Sequence, residues 1–580
     1  MKMIPTQRPT HSQQDDRICD QYMKLCEKST LLFTQLYETS FLGDGWKSLY
    51  QKTFTTFAKL WKLQQTYRSV LENGKVKFKR YDVGEIAAKI AQLYYHYYLR
   101  TSETQFLNES LTYYQEIKKH NYYKEDLSLQ RSFILQRTLR FHARFLLICL
   151  LTDKIKMGEN VLSDFALTSA QLATEKLVQP NFQNHQLLAE EMKYIVMNMV
   201  NCLVRTREGR MTYHSLTRIN PQLVFTTRNK NVSINHNNHM SHAIGHSHLS
   251  VQNGNKGLKL HSAILVDNKP NSYSFSELSL SLFRMMYALE FNYQQITPEQ
   301  QNEWKNPRKY MLRNITIPKL LNYISNNFYE MPNNHYILLY LSSTVHDDQL
   351  NNYHSTNGLF MSSNGNNQHI LHPEDVLPFL RKPMMMIIDS DKQNSFIQLS
   401  QKTFDVPCLT LFGPIGSWQL HQCPLPHDSI YTKIQGKYLQ VFGNKKDSIF
   451  NLFLNDSLGA LCRITNIDQM SVNTKEECNG IINAFFAELS EEIFSCSKVP
   501  QTITMFMNDD FARILILRFI FCRLVLLNLK LPADADNFDA LLPTSNPQIP
   551  VEIYESECCK NIVQKLCQLL SNAHWFDFDE

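Results

Sequence analysis

Three short runs of apolar side chains, YILLYLS (336–342), MMMIID (384–389) and CLTLF (408–412), are separated by stretches of helical periodicity. A strand without polar alternation is dry on both faces, and strands separated by helices pair in parallel. The helical stretches are PKLLNYISNNFYEM before the first run, HPEDVLPFL before the second and SFIQLSQKTF before the third. The expectation is a doubly wound parallel α/β domain over residues 307–530, with an Asn/Ser-rich loop insert at 345–370 and closing helices.

Ahead of this domain, residues 17–206 read as an all-helical array of consecutive amphipathic segments. In EIAAKIAQLYYHYYLRTSE (85–103), Glu85, Lys89, Gln92, His96 and Arg100 recur at helical spacing as one polar stripe, expected to be solvated. The rest of the cylinder is apolar or aromatic, wider than one neighbour can cover, so the helix needs partners on two sides, as in a helical array. Ala91 and Tyr94, then Ser110, Tyr114 and Ile117, set small residues against aromatics in the tetratricopeptide manner, with a connection expected to be longer than that repeat allows. The fold class is α plus α/β, multidomain: a helical array with tetratricopeptide-like flavour, then a doubly wound parallel domain. Residues 1–16 read as a disordered tail and 531–580 as a linker and helix. Residues 207–306 read as a linker with the short strand candidates MTYHSLTR, LVFTTR and LHSAILV, a disordered Asn/His-rich insert at 229–256 and a helix at 275–290.

The balance of 59 basic against 54 acidic residues gives +5, too small to imply nucleic acid or an anionic membrane without a local patch. The strongest basic run, GKVKFKR (74–80), reads as a solvated loop. Thirteen cysteines, scattered and without a CxxC pair, fit a reducing compartment. The amino terminus lacks the apolar core of a signal peptide, and the apolar run ILILRFIFCRLVLL is interrupted by Arg518 and Arg523. A soluble intracellular protein that needs no membrane is expected.

In an open parallel sheet the informative position is a strand's carboxyl end, and MMMIID ends on Asp389 with Asp391 two residues later. Such a pair can hold Mg²⁺ for a hydrolase or phosphatase, although the residues beyond it depart from the haloacid dehalogenase and von Willebrand patterns. The same carboxylates suit the capping of a helix beginning near Ser395, which is the favoured reading. His236, His239, His242, His246 and His248 have spacings that could bind a transition metal, but they sit in a low-complexity tract that reads as an insert. GxxxxGK[ST], GxSxG and HExxH are absent, and no GxGxxG follows the first strand. No catalytic residue and no cofactor is expected.

The segments TFAKLWKLQQTYRSVLE, LYYHYYLRTSET, NPRKYMLRNITIPKLLNYI, HPEDVLPFLRKPMMMIIDSD and FARILILRFIFC, in this order, resemble the family of suppressor of cancer cell invasion, SCAI. The resemblance implies a nuclear and cytoplasmic protein that acts by binding, as a corepressor-like cofactor of myocardin-related transcription factors. It further implies restraint of Rho-to-actin gene expression and cell migration, and a role in double-strand-break repair, where repair scaffold proteins join the expected partners. The family motif defines no catalytic residues. Trp61, Tyr98 and Tyr113 are expected to edge the surface on which a helix or peptide of a transcription factor docks.

Overall fold

The computed structural model describes residues 11–39, 45–123, 131–152, 154–174, 203–205, 211–213, 257–268, 307–313, 315–343, 358–364, 367–390, 393–397, 399, 404–414, 449–455, 457–465, 467, 470–529 and 542–578. The chain divides into two compact units, Met1–Met199 with Glu290–Asn306, and Val200–Leu289 with Pro307–Glu580. The second and third expected strand candidates fare differently: LHSAILV is part of a strand, while LVFTTR, the insert 229–256 with its histidines and the helix at 275–290 lie outside the described residues.

The first unit holds seven helices among the described residues: α1 (His11–Glu38), α2 (Gly45–Thr66), α3 (Arg68–Asn73), α4 (Arg80–Thr101), α5 (Thr104–His120), α6 (Arg131–Leu151) and α7 (Ile155–Thr174). The first begins at His11, inside the stretch expected to be a tail. Helix α2 buries Trp46, Tyr50, Thr53, Phe57, Leu60 and Leu63, a single face at steps of three and four. Helices α4 and α5 form a hairpin whose link is only Ser102 and Glu103, shorter than the sequence suggested, because Ser102 adopts a left-handed conformation (φ 57°) and donates its amide to the Tyr98 carbonyl. Small side chains let the two helices approach closely, and Ser110 Oγ donates across to the Ala91 carbonyl at 2.8 Å.

The polar stripe of α4 is covered rather than solvated. From Tyr81 to Thr101 no side chain is exposed, and Gln92 is buried. Arg100 donates from Nη2 to the carbonyls of Leu36 and Thr39, each at 3.1 Å, so its charge closes the end of α1, where unpaired carbonyls collect. Its guanidinium also lies 5.5 Å from the Trp46 ring centroid and 5.4 Å from that of Tyr50. Glu85 accepts from the Tyr123 hydroxyl at 3.2 Å. Long polar side chains can lie along a dry surface while their heads find partners, which periodicity alone does not reveal. In the basic run, Phe78 is buried edge-on against Tyr22 at 5.4 Å, and Lys75 pairs with Asp16 at 3.2 Å.

The second unit is built on a six-stranded sheet. Its strands are β3 (Lys259–Asn268), β4 (Arg308–Arg313), β5 (His335–Ser343), β8 (Met384–Ser390), β9 (Cys408–Phe412) and β10 (Thr544–Asn546), in the order β10-β9-β8-β5-β3-β4. Only β10 is antiparallel. The chain runs outward from β3 to β4 and then returns to β5 on the other side of β3, which makes the β3/β5 boundary a topological switch point. Among the described residues two short hairpins stand outside this sheet, β1 (Leu203–Arg205) with β2 (Met211–Tyr213) and β6 (Leu359–Asn364) with β7 (Asn367–Leu371). The sheet thus recruits β3 from the expected linker and β10 from the expected terminal segment, and part of the loop insert 345–370 is a hairpin. Residues 203–205, expected to end a helix, form a strand.

Helix α8 (Ile317–Glu330) lies between β4 and β5 in the chain; α9 (Ile449–Asn455), α10 (Ser457–Ile464), α11 (Val472–Ser495), α12 (Gln501–Met507) and α13 (Asp510–Leu527) lie between β9 and β10, and α14 (Glu557–Leu570) follows β10. Helix α13 is apolar all round and buried from Phe511 to Cys522, as befits a helix inside a core. The arginines that interrupt it serve carbonyls: Arg518 Nη1 donates to Leu454 at the end of α9 (2.8 Å) and Arg523 Nη1 to Pro543 (2.6 Å). Among the described residues no helix is long and apolar enough to cross a membrane.

Asp509 caps α13 and ties it to the sheet. Its Oδ1 accepts from the amides of Phe511 and Ala512, both at 3.0 Å, and from the Tyr336 hydroxyl at 2.9 Å. Oδ2 accepts the amide of Leu260 at 3.2 Å, next to the point where the β3 register slips between Leu260 and Ser262. The approach is close: a Cβ at Gly257 would stand 2.8 Å from Asn508 Cβ. Asp509→Ala removes the cap and strands a buried hydroxyl and amide, so it is expected to cost about 3–5 kcal/mol in urea unfolding, and Tyr336→Phe about 1.5–3 kcal/mol.

In α6, His142 is buried and its Nδ1 has no hydrogen-bond partner. Burial holds the imidazole down at about 4 against an ordinary 6.5, with Asp164 pulling it up and Lys118 pushing it further down. Between these values the unfolded chain takes up a proton that the folded chain refuses. Stability from this residue is therefore complete above 6.5 and is lost as pH falls towards 4, at up to about 1.4 kcal/mol per pH unit. Urea unfolding across this range should show that His142→Phe flattens the acid limb.

Candidate partner-binding surface

Six half-buried aromatic side chains from three helices of the first unit make one continuous seam: Phe54 and Trp61 of α2, Tyr94 and Tyr97 of α4, and Phe106 and Tyr113 of α5. Each pair is seven or three residues apart, so each lies on one face of its helix. The rings touch in sequence. Trp61 meets Tyr113 edge-on at 6.4 Å between centroids, and Tyr113 stacks on Tyr94 at 5.7 Å. Tyr94 packs on Phe54 at 4.9 Å and on Phe106 at 6.3 Å, while Phe106 meets Tyr97 at 4.3 Å. Edge-to-face and offset contacts of this kind hold the side chains in place while leaving part of each ring to solvent.

The phenols along the seam are neutral donors at physiological pH. Burial pushes the hydroxyls of Tyr94 and Tyr113 up, and Glu109 adds to this; burial and then Glu103 do the same for Tyr97. Burial also pushes the Glu103 carboxyl up, against the hydrogen bond it accepts from Gln105 Nε2 at 3.0 Å. Rigid rings carrying a polar tip suit recognition of a protein surface, where apolar area and hydrogen bonds are both needed.

Of the three residues expected to edge such a surface, the structure brings two together. Trp61 and Tyr113 are in contact, whereas Tyr98 has no exposed surface and lies in the core beside Tyr95, with nothing to offer a partner. Consecutive tyrosines on a helix point in different directions, and Tyr98 falls on the inner flank. Phe54, Tyr97 and Phe106 were not expected on this surface from sequence, and Tyr94 was read only as part of the pairing of small residues with aromatics. The seven-residue pairs Phe54/Trp61 and Phe106/Tyr113 were the available signal, visible only once α2 and α5 are known to flank α4.

At the carboxyl edge of the sheet, Asp391 lies outside the described residues. Asp389 is fully buried, with Oδ2 at 3.4 Å from the Tyr340 hydroxyl. A Cβ at Gly413 would stand 3.0 Å from its Oδ1 and 2.9 Å from Phe450 Cδ1, so that glycine makes room for the carboxylate. The Cys522 thiol is pushed up by burial and then by Asp389. Register aligns Asp267, Ser342 and Asp389 across β3, β5 and β8. Among the described residues no three His, Cys, Asp or Glu side chains come together to hold a metal ion.

The profile of the family described as Protein SCAI matches residues 24–357 and 344–531. The chain belongs to the SCAI family. Protein SCAI of Homo sapiens is 28% identical over 91% of this chain and 84% of its own length, and Protein SCAI of Mus musculus matches to the same extent. The Protein SCAI homolog of Dictyostelium discoideum is 25% identical over 94% of this chain and 89% of its own. No solved structure matches the chain. The SCAI match includes both the aromatic seam and Asp389, so family membership does not by itself choose between them.

Core and seam should separate on substitution. Tyr98→Ala is expected to cost about 3–5 kcal/mol in denaturant unfolding, as for a large side chain removed from a packed core, whereas Tyr113→Ala should cost about 1–2 kcal/mol and leave the helical circular dichroism unchanged.

Proposed function

We propose that this chain is a non-catalytic, protein-binding regulator of transcription of the corepressor type, present in nucleus and cytoplasm. Its partners are transcription factors or coactivators of the myocardin-related kind and repair scaffold proteins. By holding such a partner it restrains Rho-to-actin gene expression and cell migration, and it contributes to double-strand-break repair. In this reading the helices form an array of the tetratricopeptide kind, followed along the chain by a doubly wound sheet. The observation that carries it is the seam: half-buried aromatic rings contributed by three helices on a member of the SCAI family. A surface of this composition offers the anchors that concentrate binding energy at protein interfaces. The chemistry at Asp389 points the same way, because a carboxylate with no exposed surface meets a substrate only if the packing around it opens.

The decisive experiment is quantitative co-purification with the full chain and its Trp61→Ala/Tyr113→Ala variant from nuclear and cytosolic extracts. Transcription regulators should be recovered with the parent chain and depleted at least about tenfold with the variant, since aromatic hot spots are worth about 2 kcal/mol or more each. The proposal is wrong if recovery is unchanged, or if purified protein hydrolyses phosphate esters and a folded Asp389→Asn variant does not.

A further inference from the structure

The seam has a length and a distribution of charge as well as an aromatic surface, and together they define what lies in it. Phe54 to Trp61 and Phe106 to Tyr113 each span seven residues, ~10 Å at the rise of an α-helix. That is two helical turns, the distance over which a bound helix presents anchors at i, i+3 or i+4, and i+7. The walls differ in sign. On α2, exposed Lys47 lies seven residues before Phe54 and so continues the Phe54/Trp61 line, exposed Lys62 follows Trp61 on its solvent side, and α2 contains no acidic residue. On α5, Glu109 and Glu116 are exposed on the solvent side of the Phe106/Tyr113 line, at helical spacing from Phe106 and Tyr113. Glu103 adds a third carboxylate where the hairpin turns. Glu116 is shared with Lys119 at 3.2 Å and with His120 Nε2 at 3.3 Å, exposed contacts that a stronger partner can displace.

We infer that the occupant of the seam is an amphipathic helix of another protein, its apolar stripe flanked by acidic residues on the edge facing α2 and by basic residues on the edge facing α5. This rests on the reading of the seam as a docking surface. The arrangement selects a direction, since a helix laid in reverse brings its basic edge against Lys47 and Lys62 and its acidic edge against Glu109 and Glu116. It also disfavours nucleic acid, whose phosphates would meet the carboxylates of Glu103, Glu109 and Glu116 beside the very rings on which bases would stack.

The test uses the full chain and a display library of helical peptides with fixed apolar anchors at i, i+4 and i+7 and randomised edges, with counter-selection on Trp61→Ala/Tyr113→Ala. Recovered peptides should carry acidic residues along one edge and basic residues along the other. A charge-swapped chain, Lys47→Glu/Lys62→Glu with Glu109→Lys/Glu116→Lys, confirmed folded by circular dichroism, should bind them at least about tenfold more weakly by fluorescence anisotropy at low salt, and selection on it should return the opposite edges. Peptides that need Trp61 and Tyr113 but show no edge preference overturn the charge assignment alone. A selection that returns nothing dependent on those two residues overturns the docking surface with it. Binding of a single-stranded oligonucleotide that is lost in Trp61→Ala/Tyr113→Ala overturns the choice of partner.

Discussion

A carboxylate drawn partly out of water must be given donors or it destabilises its surroundings, and the α/β unit meets that demand at half-buried Asp509 with two amides at a helix start, a tyrosine hydroxyl and an amide beside a strand irregularity. The arrangement couples three features that would otherwise be independent. The start of α13, the first residues of β5 and the register slip of β3 share one pair of oxygens, so none of them can shift without stranding a donor from another. Since β3 and β5 flank the point where strand order reverses, the middle of the sheet is fixed from its amino-terminal side.

The same logic recurs wherever this chain places charge in dry surroundings. Arg100 closes the carbonyl end of α1, Arg518 serves that of α9 and Arg523 reaches the carbonyl of Pro543. Guanidinium suits this task because its planar donors meet a carbonyl while the face of the group lies on an aromatic ring. In α13 this explains how a helix apolar on every side can carry arginines without being a membrane segment.

Legibility in the sequence followed the strength of the local pattern. The strands β5, β8 and β9 announce themselves because they are dry on both faces. Strand β3 was legible as the candidate LHSAILV, but His261 and Ser262 interrupt its apolar run at the register slip and nothing assigned it to the sheet; β4 opens on Arg308 and Lys309, and β10 is three polar residues long, so neither carries a comparable signal. Helix positions were legible in the first unit, but their environments were not. The stripe of α4 has a solvated composition and a half-buried location, and Tyr98 and Tyr113 are the same residue type with different fates, one buried and one half-buried. What decides both is which neighbour lies where, a property of the fold and not of the segment.

The contact between Ser110 and the Ala91 carbonyl acts as a gauge for distant geometry. Because side chains this small set the separation of α4 and α5, they also set how far Tyr94 and Tyr97 stand from Phe106 and Tyr113 on the hairpin's other flank. A bulkier residue at 91 or 110 would pry the hairpin open like a wedge and widen the aromatic slot. Loss of recognition could thus arise from a residue that no ligand ever meets, and inherited variation at such interior spacers deserves the same scrutiny as variation on the surface itself.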